Sequence, residues 1–345
     1  MSGLEKRYRA AWWLPGGHLQ TLWPALMRRP PKARVRRERL ELEDGDFLDL
    51  DWLADGPAGG PVVVLLHGLE GSLESHYLPG LMRELGEQGL RPVLMYHRGC
   101  SGEPNRTHRC YTGGDADDLA RGGALLRERE PDTPLAAVGF SLGGNLLLKW
   151  LGETGPDNPL AAAAAVSPPF RLDRAAARLE GGLSRLYQGH LLRTLVGSLE
   201  RKYAGRPEAS PVPLERVRAA SSFRAFDDVF TAPVHGYAGV DDYYHRASCR
   251  SYLGDITVPT LILHALDDPF TTPDAVPETG ELSPSVQLEL HARGGHVGFV
   301  TGGMPGCSGY WIEERVPRFL SGALSSNFHV PDQTLSYFAT SLWPR

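Results

Sequence analysis

Cysteine is scarce in this sequence, with four residues in 345. Cys100, Cys110, Cys249 and Cys307 are scattered, and no CxxC pair occurs. That spacing argues against a disulfide framework and against a thiolate metal site. Reduced thiols in a cytoplasmic protein are the expectation. Long apolar runs are missing too: no stretch approaches the ~18 consecutive apolar residues of a membrane-spanning helix. Met1 to Ala10 carries Glu5, Lys6, Arg7 and Arg9 with no apolar core ahead of a cleavage site, so no signal peptide is expected. Basic residues are not in excess. Lys and Arg number 36 against 41 Asp and Glu, a net charge of −5, which disfavours a nucleic-acid partner. No internal repeat or low-complexity tract is present. Neither GxxxxGK[ST] nor a strand-linked GxGxxG occurs, which argues against a nucleotide cofactor. His97, His108, His235 and His245 lack metal-motif spacing, so no metal is expected.

What is present is an alternation of strand and helix. Arg39 to Glu43 and Phe47 to Leu53 alternate polar and apolar residues about Asp44-Gly45-Asp46, the pattern of an antiparallel hairpin with one wet face. The character then changes. Residues 61–66, 92–96, 135–140, 161–166 and 260–263 are apolar at consecutive positions, as in parallel strands buried on both faces, and 286–291 resumes the sheet. Helical patterns at 77–88, 115–130 and 145–152 separate the first of them, and 309–320 reads as a closing helix. Such an order predicts a single α/β domain over 1–345, with a mostly parallel sheet and right-handed crossovers.

Two segments stand apart from that order. Residues 168–256 contain no sheet strand, and Leu179, Leu183, Leu186, Leu191, Leu195 and Leu199 recur at helical spacing. Gly181, Gly182 and Gly189 interrupt, which predicts two helices in a helical cap inserted over the strand ends. Residues 1–34 form an arm rich in Trp and Pro. Its Trp12, Trp13 and Trp23 neighbour Arg28, Arg29, Lys32, Arg34, Arg36, Arg37 and Arg39. Such a cluster can touch an anionic lipid surface peripherally, but an arm packed on the body is the favoured reading.

The chemistry centres on Gly139-Phe140-Ser141-Leu142-Gly143. A GxSxG string alone is a weak signal. This one follows a buried strand and precedes the helical run Asn145 to Trp150, the strand–turn–helix that a nucleophile elbow requires. Glycines relieve crowding in the turn, and the helix N-terminus favours developing negative charge. A serine hydroxyl needs a base, and the base an orienting carboxylate. This order of elements supplies them downstream as acid, then histidine. His296, in Gly294-Gly295-His296-Val297-Gly298, is the expected base. Asp267 and Asp268 both end the preceding strand run. In related turns the acid stands fourth in Gly-x-x-Asp; Ala265 occupies the Gly position, which selects Asp268 and leaves Asp267 a supporting turn role. The expected oxyanion donors are the amides of Leu142 and of Leu69, the latter in His67-Gly68-Leu69-Glu70-Gly71. His67 is expected to brace that loop. Cys100, in Arg98-Gly99-Cys100-Ser101-Gly102, lacks an elbow and is a poor nucleophile candidate.

At these residues the chain resembles the YheT-like, or EMB8-type, branch of the α/β-hydrolases. The resemblance spans nearly the whole length. It rests on Gly16-Gly17-His18-Leu19-Gln20-Thr21, on His67 to Ser72, on Arg98 to Gly102, and on Phe226 to Pro233 with His235-Gly236-Tyr237. Asp267 to Phe270 and Gly294 to Phe299 complete it. It implies carboxylic-ester hydrolysis without a cofactor, a small-molecule ester substrate bearing an acyl chain, and a triad at Ser141, Asp268 and His296. A thioesterase, transacylase or peptidase would use the same triad. A non-catalytic binding module is the reading from another class.

Overall fold

The computed structural model describes residues 7–305 and 307–325, so residues 1–6 of the arm lie outside the described residues. Among the described residues, eight strands form one sheet in the order β1-β2-β4-β3-β5-β6-β7-β8. β1 (Val35–Glu41) and β2 (Phe47–Leu53) make an antiparallel hairpin, and β2 runs antiparallel to β4 (Arg91–Met95). β3 (Val62–Leu66), β4, β5 (Leu135–Phe140), β6 (Ala162–Val166), β7 (Thr260–Ala265) and β8 (Val286–His291) are parallel. Runs of Val, Leu, Ile and Ala in β3, β5 and β6 let these strands be covered on both faces. β3, β5, β6 and β7 are buried at every position.

Helices cover both faces. One core includes Leu146, Leu147, Trp150 and Leu151 of α4 (Leu142–Thr154) with Leu119 and Leu126 of α3 (Asp117–Arg129). The other includes Leu78, Leu81, Met82 and Leu85 of α2 (Leu78–Glu87) with Ile312, Val316 and Leu320 of α11 (Trp311–Leu324). Between β6 and β7 the chain is helical: α5 (Leu172–Leu179), α6 (Ser184–Lys202), then the short α7 (Leu214–Arg218), α8 (Phe223–Phe226), α9 (Ala232–Val234) and α10 (Val240–Ala247). A π-helical turn, Asp227–Thr231, lies between α8 and α9. α5 and α6 divide at Gly181-Gly182, where Gly182 has φ +55°. Gly189, read as an interruption, sits inside α6, where its missing side chain costs propensity without breaking the helix.

One expectation needs correction. The hairpin has no wet face on β2. Asp49 and Asp51 are 2% and 1% exposed. Arg39 and Arg37 reach across from β1 to bind them bidentately. Ser101 and Tyr96 donate hydroxyls at 2.6 and 2.8 Å. The alternation thus reflects buried, compensated carboxylates rather than solvent. Within the arm, α1 (Gly17–Met27) is a helix despite Pro24. The basic cluster beside it is partly spent on ion pairs. Arg28 pairs with Glu313 and lies over the Tyr310 ring, and Arg34 meets Asp55. Trp13 packs edge-on against Trp23, while Trp12 is exposed. No helix among the described residues is long and apolar enough to cross a membrane.

Candidate active site

Ser141 stands between the end of β5 and the start of α4. Its backbone adopts φ 50°, ψ −118°, a strained conformation for a non-glycine residue. The turn is tight enough that a Cβ at Gly139 would lie 2.4 Å from the Gly143 carbonyl oxygen. The Ser141 amide is tied to the Val166 carbonyl at the end of β6, at 2.9 Å. The bend therefore lifts the hydroxyl off the sheet edge while the backbone stays anchored.

His296 lies in the loop after β8 and Asp268 in the loop after β7. The structure brings both together with Ser141, although His296 lies 155 residues from Ser141 and 28 from Asp268 in sequence. Ser141 Oγ lies 2.8 Å from His296 Nε2, and His296 Nδ1 lies 2.8 Å from Asp268 Oδ2. A carboxylate accepts only, so Nδ1 carries the proton and Nε2 is free to take one from the hydroxyl. Burial pushes the Asp268 carboxyl up, but the His296 imidazole beside it, with His264 and the Phe270 amide, holds it below the usual range. Asp268 is thus an anion at neutral pH. Asp267 does different work. Its Oδ1 accepts the Gly295 amide at 2.9 Å, which fixes the loop that carries His296. Burial raises its carboxyl.

The loop after β3 approaches from the other side. A Cβ at Gly68 would lie 3.1 Å from Ser141 Cβ. The Gly68 amide is taken by the Tyr77 hydroxyl (3.1 Å) and the Glu70 amide by the Tyr111 hydroxyl (2.9 Å). Between them, the Leu69 amide meets no acceptor among the described residues, and neither does the Leu142 amide at the first position of α4. His67 is fully buried. Its Nδ1 donates to the Gly68 carbonyl at 2.7 Å, and its Nε2 accepts the His97 amide at 3.1 Å. Burial, with His97 close by, holds it neutral. Cys100 is poorly placed for chemistry: burial and the nearby Glu70 carboxylate push its thiol well up.

Several residues of the site carried no role in the sequence. The Thr21 hydroxyl, on α1, accepts the His296 amide at 2.8 Å and donates to the Gly17 carbonyl. Gln20 exchanges two hydrogen bonds with Val300. Gly298 lies so close that a Cβ there would come within 2.1 Å of the Gln20 carbonyl oxygen. The Ser167 hydroxyl accepts the Val297 amide at 3.0 Å. The Phe270 ring stacks on the His296 ring, centroids 4.0 Å apart and 9° from parallel. Tyr187 of α6 in turn contacts Phe270, and its hydroxyl meets His18 at 3.1 Å. Only the Gly16–Thr21 string hinted at α1; no spacing rule links it to a histidine 275 residues on.

The family model for the alpha/beta hydrolase fold matches residues 61–303, which hold every element from β3 to the His296 loop. The chain belongs to the α/β-hydrolase family. Among relatives, it is 43% identical over 312 residues to a protein named putative esterase YheT of Escherichia coli, covering 90% of this chain and 91% of that one. It is 34% identical over 310 residues to a protein named phospholipase ABHD3 of Mus musculus, covering 87% and 75%. The YheT-like resemblance drawn from the sequence strings is borne out. The solved structure of esterase Pf2001 from Pyrococcus furiosus superposes with a TM-score of 0.53 at 18% identity, covering 85% of this chain and 98% of that one. At that identity it speaks for the α/β-hydrolase fold alone.

Proposed function

We propose that this α/β-hydrolase is a serine hydrolase that cleaves carboxylic esters through Ser141, His296 and Asp268. The observation that carries the reading is the unbroken relay of hydroxyl, imidazole and carboxylate, with both links at 2.8 Å. His296 removes the Ser141 proton as the oxygen attacks the ester carbonyl. The Leu69 and Leu142 amides take the oxyanion. His296 then protonates the leaving alcohol, and water attacks the acyl-enzyme through the same base. Asp268 holds the tautomer and stabilises the imidazolium that forms. The relatives named as esterase and phospholipase support ester chemistry. The four unpaired thiols fit a reducing, cytoplasmic setting.

The segment 168–256 serves as the cap over this centre. Its aromatic and leucine side chains do not all line a pocket. Leu199, Tyr203, Phe226 and Phe230 fill a core of the segment's own. Leu183 and Leu186 are 63% and 72% exposed, beside the Tyr187 that contacts Phe270. An acyl chain entering past Phe270 would meet those two. A fluorophosphonate probe is expected to label wild type and not Ser141→Ala. A panel of oxygen esters, thioesters and amides should show fastest turnover on oxygen esters. Full turnover by Ser141→Ala rules out the mechanism, and a preference for amides or thioesters rules out the substrate class.

A further inference from the structure

The turn that carries the Leu69 amide is strained. The Gly71 amide donates to the Gly68 carbonyl at 3.0 Å, closing a β-turn over residues 68–71. Glu70 stands third in it, at φ +52°. That place, with positive φ, is ordinarily taken by Gly or Asn, because a Cβ there crowds the backbone. A strained residue persists only where its surroundings hold it. Here one hydroxyl holds both the backbone and the side chain. Tyr111 Oη accepts the Glu70 amide at 2.9 Å and donates to Glu70 Oε1 at 2.8 Å. Burial pushes the Tyr111 phenol well up, so it keeps the one proton it has to give, and the carboxyl receives it.

The other carboxyl oxygen leads to the cap. Glu70 Oε2 accepts the Ser198 hydroxyl, and Arg201 donates to that hydroxyl oxygen at 2.8 Å. Both residues lie on α6. Ser198 neighbours Leu199, which is packed in the segment's own core, so that packing sets its place. The opposite end of α6 meets the other half of the centre. Ser184 Oγ donates to the Pro269 carbonyl at 2.8 Å, next to Asp268. Tyr187 contacts the Phe270 ring that stacks on His296. From Ser184 to Ser198 the helix rises ~21 Å at ~1.5 Å per residue. One helix is therefore tied at its first turn to the loop of the acid and near its last turn to Glu70.

We infer that Glu70 is a positioning residue: its carboxyl, gripped by Tyr111 and by Ser198 of the cap, holds the strained turn that aims the Leu69 amide at the oxyanion. The hole is then complete only with α6 in place. This rests on the ester-hydrolase reading, since the oxyanion is that reaction's own. Were Glu70 to relax to a negative φ, the peptide plane between Leu69 and Glu70 would turn over. The Tyr111 bond would break, and the Leu69 amide beside it would lose its aim.

Turnover of 4-nitrophenyl octanoate tests this. Glu70→Ala keeps the strain and loses both ties, and a misplacement near 1 Å predicts a fall of about 10²-fold in kcat. KM should stay within about threefold, because the amide serves the transition state rather than the bound ester. The Ki of octyl trifluoromethyl ketone, whose adduct with Ser141 carries the oxyanion, should rise in step with the loss in kcat/KM. Glu70→Gly bears a positive φ without strain and should recover part of the loss; a carboxyl serving only the fold would leave Gly no better than Ala. Ser198→Ala should cost about tenfold alone, and nothing further in the Glu70→Ala background, because the two act through one contact. Should Glu70→Ala fail to fold, Glu70→Gly and Ser198→Ala carry the same comparisons. Wild-type kcat in both Glu70→Ala and Ser198→Ala overturns the inference and leaves the ester reading standing. Additive losses would sever the cap from the turn and overturn it too. A wild type that hydrolyses no ester and escapes the fluorophosphonate probe sinks the ester reading itself, and the inference with it.

Discussion

Asp267 and Asp268 are adjacent, both acidic, and opposite in consequence. Asp268 faces the imidazole and is kept ionised by it; Asp267 faces the backbone of the loop and is raised by burial. Asp268→Asn leaves the shape but can offer Nδ1 the wrong partner, so kcat should fall by about 10³–10⁴, as removal of the orienting carboxylate does in other triads. Asp267→Asn keeps an acceptor for the Gly295 amide and should cost about tenfold or less, the scale of one neutral hydrogen bond. Steady-state kinetics on one oxygen ester decides between them; equal losses would sink the division of labour. A sequence could point to the elbow, because glycines around a serine between strand and helix have a steric reason. It could point to His296 because glycine-rich loops let a base reach across. It could not point to Thr21 or Ser167, whose hydroxyls act on backbone amides 275 and 130 residues away, nor to Tyr77, nine residues from the Gly68 amide, because none has a local pattern.

At the scale of elements, α1 is the part hardest to foresee and closest to the chemistry. Proline inside it and apolar residues on more than one face hide the helical period. Yet α1 wedges between the Asp267 turn and the His296 loop: a Cβ at Gly17 would lie 1.7 Å from the Asp267 carbonyl oxygen. The parallel strands were legible because double burial demands unbroken apolar runs, whereas β2 was misread because its carboxylates are buried with partners. Gly298→Ala should push α1 off the loop. A displacement near 1 Å in catalytic geometry costs about 10²-fold in rate, so kcat should fall by roughly that factor while the far-UV circular dichroism stays native. An unchanged kcat would show that α1 does not set the position of His296.

Over the whole molecule, the buried titratable groups set a pH window for stability. His67, His76, His97, His235, His264 and His291 are all depressed, chiefly by burial, with His76 at about 3 and His235, His264 and His291 at about 4. In the unfolded chain each takes a proton near its ordinary 6.5. Below that value the unfolded state binds more protons than the native one, so stability is lost as pH falls from about 6.5 toward 4. Buried carboxyls act in the reverse sense: Asp267, Glu313 and Asp227 are each raised by burial. Asp227, in the π-helical turn, accepts the Thr231 and Tyr244 hydroxyls, but burial raises it to about 6. Between 3.8 and 6 the native state holds its proton and the unfolded state does not, so Asp227 alone would lose stability as pH rises. The six histidines outnumber these carboxyls, and each proton of difference shifts stability by ~1.4 kcal/mol per pH unit. The urea midpoint should therefore fall steeply between pH 6.5 and 4.5. His291→Gln should make that fall shallower. Asp227→Asn should remove one opposing slope, so the variant gains on wild type as pH rises from 4.5 to 7. A midpoint that is flat or climbs toward acid would mean these imidazoles are not buried neutral.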